Sequence, residues 1–142
     1  MSEKTAYQLM RKKLLQPKDR MDRIEAGSIA GIPDVNYCIE GKEGWIELKA
    51  PKIPIMQDTM LFKSQHNLSQ MQKNWFYRQV RAGGKCWVLI AGDTHWMLIS
   101  GKYADEINEL TAGELWGIAS WKARPPRIDL QEWIDLRRTL KK

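Results

Sequence analysis

The spacing of apolar residues changes period several times along the chain, and each change marks an element. Residues 6–15 and 20–27 read as two helical stretches, broken near Gln16-Pro17. Gly31-Ile32-Pro33 is a turn signal, because Pro33 fixes its own φ and restricts Ile32. Residues 34–40 then alternate: Val35, Tyr37 and Ile39 fall on one face, Asp34, Asn36, Cys38 and Glu40 on the other. Gly41-Lys42-Glu43-Gly44 reads as a hairpin turn. It leads into a second strand over 45–50, with Trp45, Glu47 and Lys49 on one face and Ile46 and Leu48 on the other. Pro51 and Pro54 end that strand.

Residues 51–67 read as a long loop, with Met56, Met60, Leu61 and Phe62 available for packing. Residues 68–81 have helical period, and Gly83-Gly84 stops them. Trp75, Met71 and Phe76 define the apolar stripe, and Gln72 and Gln79 fall in its middle. Strands are expected over 85–91 and 95–100. Thr111 with Glu114 and Asp129 with Glu132 are capping-box signals for two later helices. Strands alternating with helices imply an α/β fold, a mixed central sheet flanked by α-helices.

The 142 residues, 43% of them hydrophobic, suffice for one domain over residues 1–142 and argue against a disordered basic tail. Apolar runs are far too short to span a membrane and the first residues are polar, so a cytoplasmic location is expected. Cys38 and Cys86 are too few for a disulfide framework or a cysteine zinc cluster. The net charge of +6 permits an anionic partner, and its distribution says more. Residues 31–60 carry three basic and five acidic groups, whereas residues 61–90 carry five basic and none acidic.

The acidic stretch holds the candidate chemistry. Glu47 and Lys49 leave one face of their strand, and pairing of the hairpin brings Asp34 toward Glu47. Two carboxylates at that range repel unless a cation neutralises them, and oxygen ligands suit Mg²⁺ or Mn²⁺. With Lys49 beside them, these are the parts for metal-assisted hydrolysis of a phosphodiester. A solvated charge pair on a strand is the commoner meaning of such spacing, but here Glu47 and Lys49 stand among Ile46 and Leu48 rather than in a polar loop. Lys73, Arg78 and Arg81 on the outer helix face, with Lys52 and Lys63 in the loop, are candidate DNA-backbone contacts. Arg124, Arg127, Arg137, Arg138, Lys141 and Lys142 form a second basic group, for DNA or for solubility. His66 and His95 are isolated, and no paired His spacing suggests zinc.

Arg23-Ile24-Glu25, Gly31-Ile32-Pro33-Asp34-Val35 and Gly44-Trp45-Ile46-Glu47-Leu48-Lys49 occur in that order. They are followed by Leu68-Ser69-Gln70-Met71-Gln72, Trp75 and Gly83-Gly84. Together they resemble the PD-(D/E)xK nuclease superfamily, and within it the VRR-NUC type, over about residues 20–91. The resemblance implies a restriction-endonuclease-like core. It assigns Asp34, Glu47 and the Leu48 carbonyl to the metal, with Glu25 as an additional acidic group. Lys49 would help activate the attacking water, and Gln72 would face the site from the helix after the hairpin.

The expected function is therefore a Mg²⁺-dependent endodeoxyribonuclease that leaves a 5′-phosphate and acts on branched DNA such as a four-way junction. Two symmetric cuts by a chain with room for one site would require a homodimer. Two alternatives remain open at this level. One is a site-specific or nicking endonuclease of homing or restriction type; the other is a non-catalytic DNA-binding protein that keeps the fold.

Overall fold

The computed structural model describes residues 1–24, 31–52, 55–63 and 66–142. Its centre is a six-stranded mixed sheet whose strands lie in chain order: β1 (Arg20–Arg23), β2 (Val35–Ile39), β3 (Lys42–Lys49), β4 (Cys86–Ala91), β5 (Trp96–Ser100) and β6 (Trp121–Ala123). All neighbours are antiparallel except β3 and β4. A parallel pair needs a crossover, and the long segment after β3 with helix α2 (Gln70–Arg81) supplies it.

The sheet is covered on both faces, so β4 is buried along its whole length and reads as a continuous apolar run. One face carries Tyr37, Ile46, Leu48, Leu89 and Leu98 against helix α1 (Glu3–Leu14) and helix α4 (Leu130–Lys141). The other carries Val88, Ile90, Met97 and Ile99 against α2, helix α3 (Ala112–Ile118) and two 3₁₀ turns, Gly101–Tyr103 and Ile107–Glu109. The expected α/β architecture of a mixed sheet flanked by helices is what the chain adopts. Both capping boxes read from the sequence form, at the starts of α3 and α4. Among the described residues no helix is long and apolar enough to cross a membrane.

Three local expectations are corrected. Residues 20–23 are an edge strand rather than the start of a helix. Their side chains favour helix, but pairing with β2 satisfies that strand's outer backbone groups and buries Met21 while its charged neighbours stay outside. The hairpin turn is two residues, Glu40-Gly41, not four. Both have positive φ (49° and 79°), the primed turn whose twist matches the strands it joins, and so β3 begins at Lys42. Within α2, Phe76 is fully buried but Met71 is 60% exposed. The helix begins at Gln70 behind N-cap Ser69, and the inward face centres on Gln72, Phe76 and Gln79.

Candidate functional site

Pro33 and Asp34 lie where the β2–β3 ladder ends. A two-residue hairpin makes its flanking pair, Ile39 and Lys42, hydrogen-bonded, and the pairs then alternate. Continuing that register places Asp34 opposite Glu47 at a non-hydrogen-bonded position, where facing side chains come closest. Pro33 falls opposite Leu48 at a hydrogen-bonded position, and proline has no N–H to offer the Leu48 carbonyl. The Leu48 N–H instead donates to Asp34 Oδ2 at 2.9 Å. Proline thus ends the ladder, the Asp34 carboxylate is anchored, and a backbone carbonyl is left facing it.

Glu47 and Lys49 project from β3 onto the α2 face and are buried, at 4% and 9% exposure. Lys49 Nζ is 3.5 Å from Glu47 Oε2. Gln72 Nε2 donates to the same oxygen at 2.9 Å. The orientation of that amide follows from the helix start. Gln72 Oε1 accepts the Ser69 N–H at 2.9 Å in a capping box, which leaves Nε2 for Glu47. Gly31 sets the height of this arrangement. Its φ is +86°, and a Cβ there would overlap the Met71 backbone carbonyl at the start of α2.

Burial, then the Asp34 carboxylate, pushes the Glu47 carboxyl up to about 8, with Lys49 opposing. Burial and the nearby Asp34 charge together keep Glu47 mostly protonated at neutral pH. A third carboxyl belongs to the same field. Glu3, in the first turn of α1, is raised by burial and by Asp34 and drawn down by Lys49, Arg23 and His66. Sequence reasoning missed it. The readable signal was Ser2-Glu3, an N-cap followed by an acidic first turn, which starts the helix three residues before the expected residue 6.

Asp34, Glu47, Lys49 and Gln72 therefore come together, and Glu25 lies outside the described residues. Among the described residues no group of three His, Cys, Asp or Glu side chains converges at metal-ligand range. The donor set still fits Mg²⁺, which keeps several waters and needs only one or two carboxylates besides neutral oxygens. A hard cation would stabilise the charge that burial and the half-buried Asp34 keep off Glu47.

The basic candidates are dispersed. Lys52 and Lys63 are exposed on the segment that follows β3. At about 100° per residue, Lys73, Arg81 and Arg78 all lie at least about 100° round α2 from Gln72, turned away from the carboxyls. Arg137 is not a surface cation at all: it is buried, pairs with Asp19 and Glu40, and donates to the Leu14 carbonyl at 2.9 Å. Lys141 joins Glu40 at 2.5 Å. That part of the basic C-terminus ties α4 to the hairpin. His95 precedes β5 rather than lying within it, with its ring edge-on to Trp116 at 5.2 Å.

No protein-family model matches the chain, and no curated protein sequence matches it. A solved structure that resembles it is Hjc, a Holliday junction resolvase from the archaeal hyperthermophile Archaeoglobus fulgidus. The likeness has 13% identity and a TM-score of 0.48, and covers 79% of this chain and 94% of that one. A likeness of that strength leaves the assignment to the geometry of the site itself.

Proposed function

We propose that the chain is a Mg²⁺-dependent endodeoxyribonuclease of the PD-(D/E)xK superfamily, VRR-NUC type, that hydrolyses phosphodiesters of branched DNA. In this reading residues 1–142 form one nuclease domain, Mn²⁺ substitutes for Mg²⁺, and two copies act together as a homodimer. The observation that carries it is the buried Glu47 carboxyl held against Asp34, with Lys49 at 3.5 Å and Gln72 at 2.9 Å on one oxygen. A buried carboxyl set against a half-buried carboxylate, with a lysine beside it, is costly as structure and useful as a cation and phosphate site.

Asp34, Glu47 and the Leu48 carbonyl would hold the ion, with Glu3 reaching it through water. When bound, the ion supplies Lewis-acid stabilisation of the charge that develops on the phosphate. Holding the ion would require Glu47 as the carboxylate, so its proton would pass to solvent as the site loads. Lys49 Nζ orients the attacking water and balances negative charge at the phosphate oxygen. Gln72 keeps Glu47 Oε2 aimed by a hydrogen bond that its own capping box holds in place. Water attacks phosphorus in line with O3′ and loses its proton to solvent, the P–O3′ bond breaks, and O3′ takes a proton from solvent, leaving a 3′-hydroxyl and a 5′-phosphate. Lys52 and Lys63 would hold the strand near the site, and Lys73, Arg78 and Arg81 a more distant arm of the DNA.

The test is cleavage of four-way junction, flap, linear duplex and single-stranded DNA in Mg²⁺, Mn²⁺ or EDTA, beside Asp34→Asn and Lys49→Ala. Cleavage of branched DNA that needs the divalent ion and falls at least about 100-fold in both variants is expected. No cleavage of any substrate, or cleavage indifferent to Asp34→Asn, refutes the proposal. Light scattering tests the homodimer, and a monomer making paired symmetric cuts would contradict it.

A further inference from the structure

A second concave site lies on the same face of the sheet, beyond the carboxyl cluster. It is a hollow of about 270 Å³ whose floor and walls include Met97, Ile55, Met56, His95, Trp116 and Arg124. Among the described residues lining it, none is acidic. Trp116 is half-buried and carries two cations over its ring, Arg124 at 5.3 Å and Lys122 at 5.1 Å. Arg124 is exposed, and burial followed by Arg124 lowers the His95 pKa, which favours a neutral ring at the wall.

Register gives the relation to the candidate active site. Lys49 pairs with Ile90, Ile90 with Met97, and Met97 with Lys122. These four residues form one row across the sheet, and Ile90 and Met97 face the α2 side with Lys49. With strands about 4.8 Å apart, the Met97 floor is about 10 Å from the Lys49 backbone, or about three base-pair rises. The segment leaving β3 spans the same interval. It is fastened to the start of α3, where the Ala112 and Gly113 N–H groups donate to the Thr59 and Gln57 carbonyls at 2.7 and 2.9 Å.

We infer that this hollow binds an unpaired nucleobase of the DNA strand that enters the carboxyl site, an inference that rests on the nuclease reading above. Trp116 supplies the stacking surface once the exposed Arg124 side chain swings from its ring to the flanking phosphate, while Lys122 stays tied to the Trp116 carbonyl at 2.8 Å. Met97, Ile55 and Met56 supply the apolar pocket. A volume just below the about 300 Å³ of the smallest ordinary ligand pockets suits a single ring system. Arg124 beside an aromatic ring, with no carboxylate among the described lining residues, favours an anionic aromatic occupant over a basic peptide or an uncharged lipid chain. A branch that carries a single-stranded flap or opens at its centre offers unpaired bases that linear duplex lacks, so the hollow gives a sequence-independent reason to prefer such branched DNA over linear DNA.

The experiment measures binding by fluorescence anisotropy in EDTA, where nothing is cut. The two probes are a duplex interrupted by a short unpaired thymine tract and the same duplex fully paired. The proteins are wild type, Trp116→Phe, Trp116→Leu and Arg124→Gln, each checked for an unchanged thermal midpoint. Trp116→Leu should weaken binding of the interrupted duplex by about 5- to 100-fold, the range for one stacked base. Trp116→Phe should keep most of the affinity and Arg124→Gln should lose part of it, with paired-duplex binding changed less than about twofold in all three. Equal losses on both probes, or no loss on the interrupted one, overturns the inference. If Trp116→Leu fails to fold, the same comparison with Arg124→Gln and Trp116→Phe decides. Cleavage by wild type with normal binding by these variants would leave the nuclease reading standing and remove this one. Loss of interrupted-duplex binding by the variants, when wild type cuts no DNA, would leave base binding in the hollow standing and remove the nuclease reading together with the strand path to the carboxyl site.

Discussion

Replacing Glu47 by Gln turns the electrostatics of the site into a measurable stability. The carboxyl titrates at about 8 in the folded chain against an ordinary 4.5, chiefly because burial disfavours its charged form. A group raised on folding leaves stability intact below its unfolded value and removes it as pH rises through the folded value. The 3.5-unit difference corresponds to about 5 kcal/mol fully lost above pH 8, of which about 3 kcal/mol is already lost at pH 7. Glutamine keeps the shape of the protonated carboxyl and can accept from Gln72, and the attraction of Lys49 is already contained in the folded titration of Glu47. An offset of about 1–3 kcal/mol from imperfect hydrogen bonding is therefore the same at every pH in the window. The decisive quantity is therefore the change in the difference between variant and wild type. From pH 5 to pH 8.5 in EDTA, Glu47→Gln should gain about 4 kcal/mol on wild type, or about 12 °C of relative midpoint for a chain of this length. Thermal melts followed by circular dichroism read it directly. Two melting curves that stay parallel across that range, or a variant that loses ground as pH rises, would refute a buried, raised Glu47. Mg²⁺ added at pH 8 should stabilise wild type, by about 2.7 kcal/mol at a hundredfold excess over Kd, and leave the variant unmoved.

Other expectations follow from single contacts. Gln72→Leu removes the donor at 2.9 Å from Glu47 Oε2 and the acceptor for Ser69 N–H, so it should lower kcat about 10- to 100-fold and frays the first turn of α2. Gly31→Ala must both leave a φ of +86° and clear the Met71 carbonyl, and should cost about 2–3 kcal/mol in denaturant melts while reducing cleavage. Arg137→Met leaves Asp19 buried without its guanidinium and should destabilise by about 3–5 kcal/mol, with DNA affinity per folded molecule unchanged. A drop in DNA affinity without loss of stability would return Arg137 to the DNA-binding set.

What could be read from sequence were features set by neighbours close along the chain. The alternation of Val35, Tyr37 and Ile39, and of Trp45, Glu47 and Lys49, identifies two strands because side chains in extended backbone alternate faces. A short hairpin then brings Asp34 to Glu47 with no long-range information, so the heart of the site was legible. The capping boxes of α3 and α4 were legible for the same reason. Tertiary structure decided the rest. Residues 20–23 favour helix locally, and only the open edge of β2 makes them a strand. Glu3 enters the field of Asp34 and Lys49 because α1 packs across β3 with its N-terminus at the strand's carboxyl end, a relation between segments more than thirty residues apart. Arg137 looks like a surface cation in a basic tail until α4 docks on the sheet and meets Asp19 and Glu40. The hollow around Trp116 exists only where the segment after β3, β5 and α3 meet. Periodicity and spacing record what one element does to itself. Which elements face each other, and therefore which charges share a dielectric, is settled only by packing.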